Sequence, residues 1–156
     1  MNQPIGIEFA TTPPLSRGVR LHYAERGDPR GEAIVFLHGY SDSWFSFSRV
    51  LPLLSPSYHA FALTQRGHAD SDKPGCCYTP NDFAADVDAF MEAVGIDEAT
   101  LVGASTGALF AQRVTLSYPR RVSRLVLIGS QTPANEALSG LLEEVRAGRS
   151  RPARIR

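Results

Sequence analysis

Apolar and polar positions alternate along the chain in two rhythms, and the changes of rhythm mark out the elements. Val19 to Glu25 alternates with a period of two, which predicts a half-buried strand, and Gly27 to Gly31 reads as a turn. Ala33 to Leu37 is a continuous apolar run, and Tyr58 to Leu63, Thr100 to Val102 and Val122 to Gly129 are short, mostly apolar stretches, as buried parallel strands require. Between them the period lengthens. Trp44 to Leu54 predicts a short helix ended by Ser55-Pro56, and Thr64 to Gly75 is a polar loop. Thr79-Pro80-Asn81-Asp82 combines a capping threonine, a proline at the first helical position and an acid three residues on. Phe83, Val87, Phe90, Met91 and Val94 then share one helical face until Gly95 closes it, a core stripe rather than a cofactor site. A second helix runs from Gly107 to the stop at Pro119, and a third is expected over Ala134 to Ala147. Strands alternating with helices predict an α/β domain whose mostly parallel sheet has helices on both faces.

Composition keeps this picture and narrows it. A hydrophobic content of 43% and a charged content of 21% describe a globular chain. The apolar runs are strand-sized, so no transmembrane helix is expected. The first residues lack a basic stretch followed by an apolar one, so no signal peptide is read and the cytoplasm is the default location. The 156 residues make one domain or a portion of one, assigned here to 1–145.

The formal net charge is zero, yet five arginines crowd the last eleven residues with no acid among them. The first 145 residues keep 11 basic and 16 acidic groups, a net of −5. With no aromatics or nucleic-acid motif nearby, the 146–156 tail reads as a disordered, solvated end, and no nucleic-acid partner is expected. Cys76 and Cys77 are adjacent and make no disulfide framework, which agrees with a reducing compartment; they read as small loop residues. No further Cys or His lies at ligand spacing, so neither a metal nor a cofactor is expected.

The chemistry concentrates at Gly103-Ala104-Ser105-Thr106-Gly107, which fits G-x-S-x-G. By composition alone that pattern arises in roughly one chain of this length in twenty. Its setting decides the matter, because an apolar strand precedes it and a helix follows. A strand that turns into a helix within so few residues forces Ser105 into a strained conformation, which costs about 1–3 kcal/mol. The serine hydroxyl is thereby held clear of the backbone, beside the N–H groups that open a helix.

Three segments then agree: IVFLHGYSDSW at 34–44, LTQRGHADSDKP at 63–74 and LVGASTGALFAQ at 101–112. In their order and spacing the chain resembles the α/β-hydrolase family. The resemblance implies Ser105 as nucleophile toward a substrate carbonyl and an oxyanion hole made by the backbone N–H groups of Tyr40 and Thr106. It also implies that His38 orders the oxyanion loop. Trp44 is a candidate pocket-lining aromatic, with a core role equally open. A serine at the elbow sets the chain apart from relatives with a carboxylate nucleophile, such as epoxide hydrolases and haloalkane dehalogenases, and favours small-molecule esters, lactones, thioesters or related acyl compounds.

Departures from the family pattern are local and global. Thr64 stands where relatives often carry Asp, Ala69 where they often carry Gly, and Ala104 where His commonly precedes the serine; Thr106 and Ala108 replace a common Met-Gly. The histidines are His22, His38, His59 and His68, so none follows Ser105, and the first acid beyond Gly129 is Glu136. The family order of Ser, then acid, then His is therefore not completed here. The expectation is the N-terminal portion of a serine hydrolase, truncated and weak or inactive alone; a non-catalytic small-molecule-binding module and a complementing fragment are the alternatives.

Overall fold

A computed structural model of the chain describes residues 6–130. The helix expected over 134–147 and the 146–156 tail lie outside these residues. Six strands form one sheet: β1 (Glu8–Thr11), β2 (His22–Gly27), β3 (Glu32–Leu37), β4 (Tyr58–Leu63), β5 (Ala99–Ala104) and β6 (Val122–Ile128), in the spatial order β1-β2-β4-β3-β5-β6. The last four are parallel, whereas β1 and β2 run antiparallel at one side. The short polar-flanked β1 was not legible in the sequence. β2 begins at His22, later than the predicted Val19: Val19 and Leu21 are buried in the segment that leads into it, where their carbonyls accept the N–H groups of Leu15 and Thr12, each at 2.9 Å.

Alternation along each strand sorts side chains onto two faces. Val35, Leu37, Phe61, Leu63 and Leu101 lie in one apolar cluster with Val87, Phe90 and Met91 of α1 (Pro80–Ala93) and Ala111 and Val114 of α2 (Thr106–Ser117). Ile34, Phe36, Ala60, Ala62 and Val102 form the second cluster with Phe47 and Leu51. Helical segments thus cover both faces. On the second, the predicted 44–54 helix is instead two 3-10 turns, Trp44–Phe47 and Leu51–Leu53. An α-helix through 54 would place Pro52 inside it, against the carbonyl of Ser48 and without an N–H to donate.

Helix α1 starts as its sequence foretells. Thr79 Oγ1 accepts the Asp82 N–H at 3.4 Å, and the Asp82 carboxylate accepts the Thr79 N–H at 2.9 Å, a reciprocal capping box. The parallel strands set three connecting loops at one edge of the sheet, those after β3, β4 and β5. That edge carries the site. At the far side β6 is the outermost strand among the described residues, with Val126, Leu127 and Ile128 largely exposed.

Candidate active site

Strand β5 reaches Ala104, helix α2 starts at Thr106, and Ser105 makes the whole turn with φ 53° and ψ −118°. This left-handed backbone is unfavourable for any residue with a Cβ. Two hydrogen bonds enforce it: the Ser105 N–H donates to the Ile128 carbonyl at 2.9 Å, and the Ser105 carbonyl accepts the Ala108 N–H at 3.0 Å. The flanking glycines permit the close passage. A Cβ on Gly103 would lie 2.5 Å from Ala108 Cα, and one on Gly107 would lie 2.2 Å from the Leu37 carbonyl oxygen. The side chain of Ser105 is exposed, and it makes no hydrogen bond to a histidine among the described residues.

Gly39 lies directly beside the elbow, where a Cβ would be 3.3 Å from Ser105 Cβ. The His38-Gly39-Tyr40 turn thus borders the serine hydroxyl, and the opening N–H groups of α2, Thr106 first, lack intrahelical acceptors. Tyr40 has its ring 81% exposed. The cleft beside it, lined by Tyr40, Ser41, Asp42, Ser43, His68 and Tyr78, does not include Trp44. Trp44 is half-buried and packs at the rim of the second apolar cluster, its ring 4.8 Å from that of the exposed Phe9.

Both ring nitrogens of His38 are occupied. Nδ1 donates to the Gly39 carbonyl at 2.7 Å, and Nε2 accepts the Gln65 N–H at 3.0 Å. The Gln65 amide closes the circuit by donating to the His38 carbonyl at 2.8 Å. Burial is the main reason the imidazole's pKa falls to about 4, so the ring is neutral with its proton on Nδ1. A histidine so engaged has no lone pair for a serine proton. His68 stacks edge-on against it at 4.9 Å and donates from Nδ1 to the Arg66 carbonyl at 2.9 Å. His22 opens β2 beside the end of β4, where its carbonyl accepts the Thr64 N–H at 2.9 Å and its ring stacks on Phe9. His59 faces Glu25 at 2.6 Å near the start of β4, at the opposite edge of the sheet from the elbow.

The 64–78 loop is anchored by a group that spacing did not single out. Arg66, with 1% of its side chain exposed, forms a two-pronged pair with Asp86 of α1 at 2.5 and 2.6 Å, and its third nitrogen donates to the Cys77 carbonyl at 2.6 Å. Thr64, the departure at this loop, is fully buried, and its hydroxyl accepts the Trp44 N–H at 3.3 Å. Ala69, the departure from glycine, has φ 34°, so it bears strain that glycine would not. Cys76 and Cys77 are not separate thiols but a vicinal disulfide. Such a bond closes only the loop of its own two residues, so spacing rules for frameworks do not reveal it. The cysteines therefore carry no argument for a reducing compartment.

Among the described residues no group of His, Cys, Asp and Glu is placed to hold a metal ion, and no helix is long and apolar enough to cross a membrane. A family model described as alpha/beta hydrolase fold matches residues 32–152. Epoxide hydrolase 1 of Siraitia grosvenorii is 35% identical over 139 residues, covering 86% of this chain and 43% of that protein. Epoxide hydrolase 3 of Mus musculus is 33% identical over 123 residues, covering 78% of this chain and 34% of that protein. Among solved structures, wild-type Cfl2 from Burkholderia cenocepacia superposes with a TM-score of 0.74 at 33% identity, over 85% of this chain and 46% of its own. One of a set of epoxide hydrolases from hot-environment metagenomes gives 0.77 at 27% identity, over 83% and 44%. The chain spans less than half the length of these relatives. With the parallel sheet, the strained serine turn and the matched family model together, this chain belongs to the α/β-hydrolase family.

Proposed function

We propose that the chain carries the nucleophile and oxyanion side of a serine hydrolase acting on a small-molecule ester, lactone or related acyl compound. One observation carries the reading: Ser105 is exposed at a left-handed strand-to-helix turn, beside Gly39 and the first N–H of α2. In this reading Ser105 Oγ adds to the carbonyl carbon and the Tyr40 and Thr106 N–H groups bind the resulting oxyanion. The leaving group departs with a proton as an alcohol, and water then hydrolyses the acyl-serine ester. Donors so placed are worth roughly 3–4 kcal/mol each.

Several relatives are named epoxide hydrolases, and the elbow residue argues for a different bond in this chain. A serine oxygen opening an epoxide would form an ether, which water does not cleave under mild conditions; adding to a carbonyl gives an ester, which it does. The missing element is the base. His38 has both nitrogens engaged and no histidine follows Ser105, so turnover by these residues alone is expected to be barely above background. Loss of the histidine in a serine hydrolase costs about a million-fold. The engagement of both His38 nitrogens favours a second reading, a binding module that keeps the cleft without the chemistry.

The test is labelling with a fluorophosphonate alongside p-nitrophenyl acetate hydrolysis, comparing the wild-type chain with Ser105→Ala. Slow labelling of wild type alone, with equal background hydrolysis in both, is the expected result. Labelling indifferent to Ser105→Ala would remove the hydrolase reading and leave the binding module.

A further inference from the structure

The loop after β3 and the turn after β4 enclose a cleft of about 580 Å3 next to the elbow. One wall is Tyr40 to Ser43; the other is Gly67 to Ala69 with Tyr78. Its single carboxylate is Asp42, exposed and without an Arg or Lys partner among the described residues. Arg66 and Lys73, the Arg and Lys of the 64–78 loop, are otherwise engaged: Arg66 with Asp86, and Lys73 with the carbonyls of Ala69 and Ser71. His68 on the opposite wall spends Nδ1 on the Arg66 carbonyl, and His38 beneath it is neutral. The Ser46 side chain and the Ser43 N–H, at 2.8 Å, hydrogen-bond Asp42 and hold its carboxyl below the usual range.

Two tyrosines line the same cleft without being buried, and Tyr78 is held in place. Tyr78 lies on Gly67, where a Cβ would be 2.6 Å from its ring, and its hydroxyl donates to the Pro74 carbonyl at 2.8 Å. The Tyr40 ring extends from the facing wall, 81% exposed. A carboxylate and two tyrosines lining one cleft offer a cation two attractions, the charge and the negative ring faces. A carboxylate ligand would meet repulsion there, and a neutral one would strip water from Asp42 without replacing its hydrogen bonds.

We propose that this cleft is a subsite for an alkylammonium group, with Asp42 as its charge partner and Tyr40 and Tyr78 as its walls. Resting on Ser105 as nucleophile, the assignment narrows the substrate class to acyl esters that carry an alkylammonium group near the scissile carbonyl.

The probe is tetramethylammonium chloride, titrated into the full chain while backbone amide resonances of Ser43, Gly67 and His68 are followed; sodium chloride and tert-butanol are the controls. The expected result is a saturable shift with tetramethylammonium alone. Asp42→Asn, which keeps an acceptor for the Ser43 N–H, should weaken binding by about tenfold, and Tyr40→Leu several-fold. No saturable shift, an unchanged affinity in Asp42→Asn, or equal shifts with tert-butanol would overturn the assignment. Fluorophosphonate labelling of the same sample separates the two claims. Ammonium binding without labelling would leave the subsite and remove the nucleophile, whereas labelling without ammonium binding would do the reverse.

Discussion

The Nε2 of His38 accepts the backbone N–H of Gln65 at 3.0 Å, across the gap between the loops that follow β3 and β4. This one bond ties together the two loops that border the elbow. It also decides what His38 is, since the other nitrogen is committed to the Gly39 carbonyl. The imidazole is a brace in its neutral form, and it positions the turn whose Gly39 lies against Ser105.

A brace that must stay neutral makes folding depend on pH. The folded pKa of about 4 lies below the ordinary value of 6.5, so between these values the unfolded chain binds more protons. Stability is complete above pH 6.5 and falls as the pH drops toward 4, by about 3 kcal/mol for this group. Asp82, whose carboxyl is held low chiefly by the Thr79 hydroxyl, adds a loss of the same sign at lower pH. Urea unfolding at a series of pH values checks this. In His38→Gln the slope between pH 6.5 and 4 should flatten while the overall stability drops.

Strain at Ser105 predicts an exchange of stability for reactivity. Ser105→Gly relieves a φ of 53° and should raise stability by about 1 kcal/mol while abolishing fluorophosphonate labelling. Thermal melts of wild type, Ser105→Ala and Ser105→Gly give the comparison. A melting temperature in Ser105→Gly no higher than in Ser105→Ala would mean that the turn is not strained.

The close passage of α2 over β3 predicts an uneven response to adding one methyl group. Gly107→Ala puts a Cβ 2.2 Å from the Leu37 carbonyl oxygen, a backbone atom that cannot step aside, and should destabilise by about 3 kcal/mol. Gly75→Ala meets nothing within 4 Å and should be neutral or stabilising by up to about 1 kcal/mol. Chemical denaturation of the pair tests the elbow's packing without requiring activity.

Removing half of the buried ion pair should be among the most damaging changes in the chain. Asp86→Asn leaves the Arg66 guanidinium, 1% exposed, without its countercharge and should cost about 3–5 kcal/mol. Because Arg66 also holds the Cys77 carbonyl, the cleft wall should loosen with it. Hydrogen exchange at residues 66–78 should rise more than at β3 in the same variant.

The elements that neighbouring residues determine were legible before any fold was known. Four apolar runs are the four parallel strands, Thr79 to Asp82 is the capping box that opens α1, and the glycines around Ser105 mark the only kind of turn they could serve. These rest on local sterics and on hydrogen bonds spanning a few residues, so the sequence by itself determined them. What pairs across the chain was not written locally. Glu8–Thr11 is a strand because β2 offers it an edge, and Trp44 meets Phe9 because that strand brings the two rings together. Arg66 and Asp86 are twenty residues apart and become one group only when the loop folds onto α1. Which groups His38 holds was likewise not local, since Gln65, twenty-seven residues on, takes one of its nitrogens and Gly39 the other. A side chain's type sets which bonds it can make, whereas tertiary structure decides which it does make, because burial removes water as the competing partner.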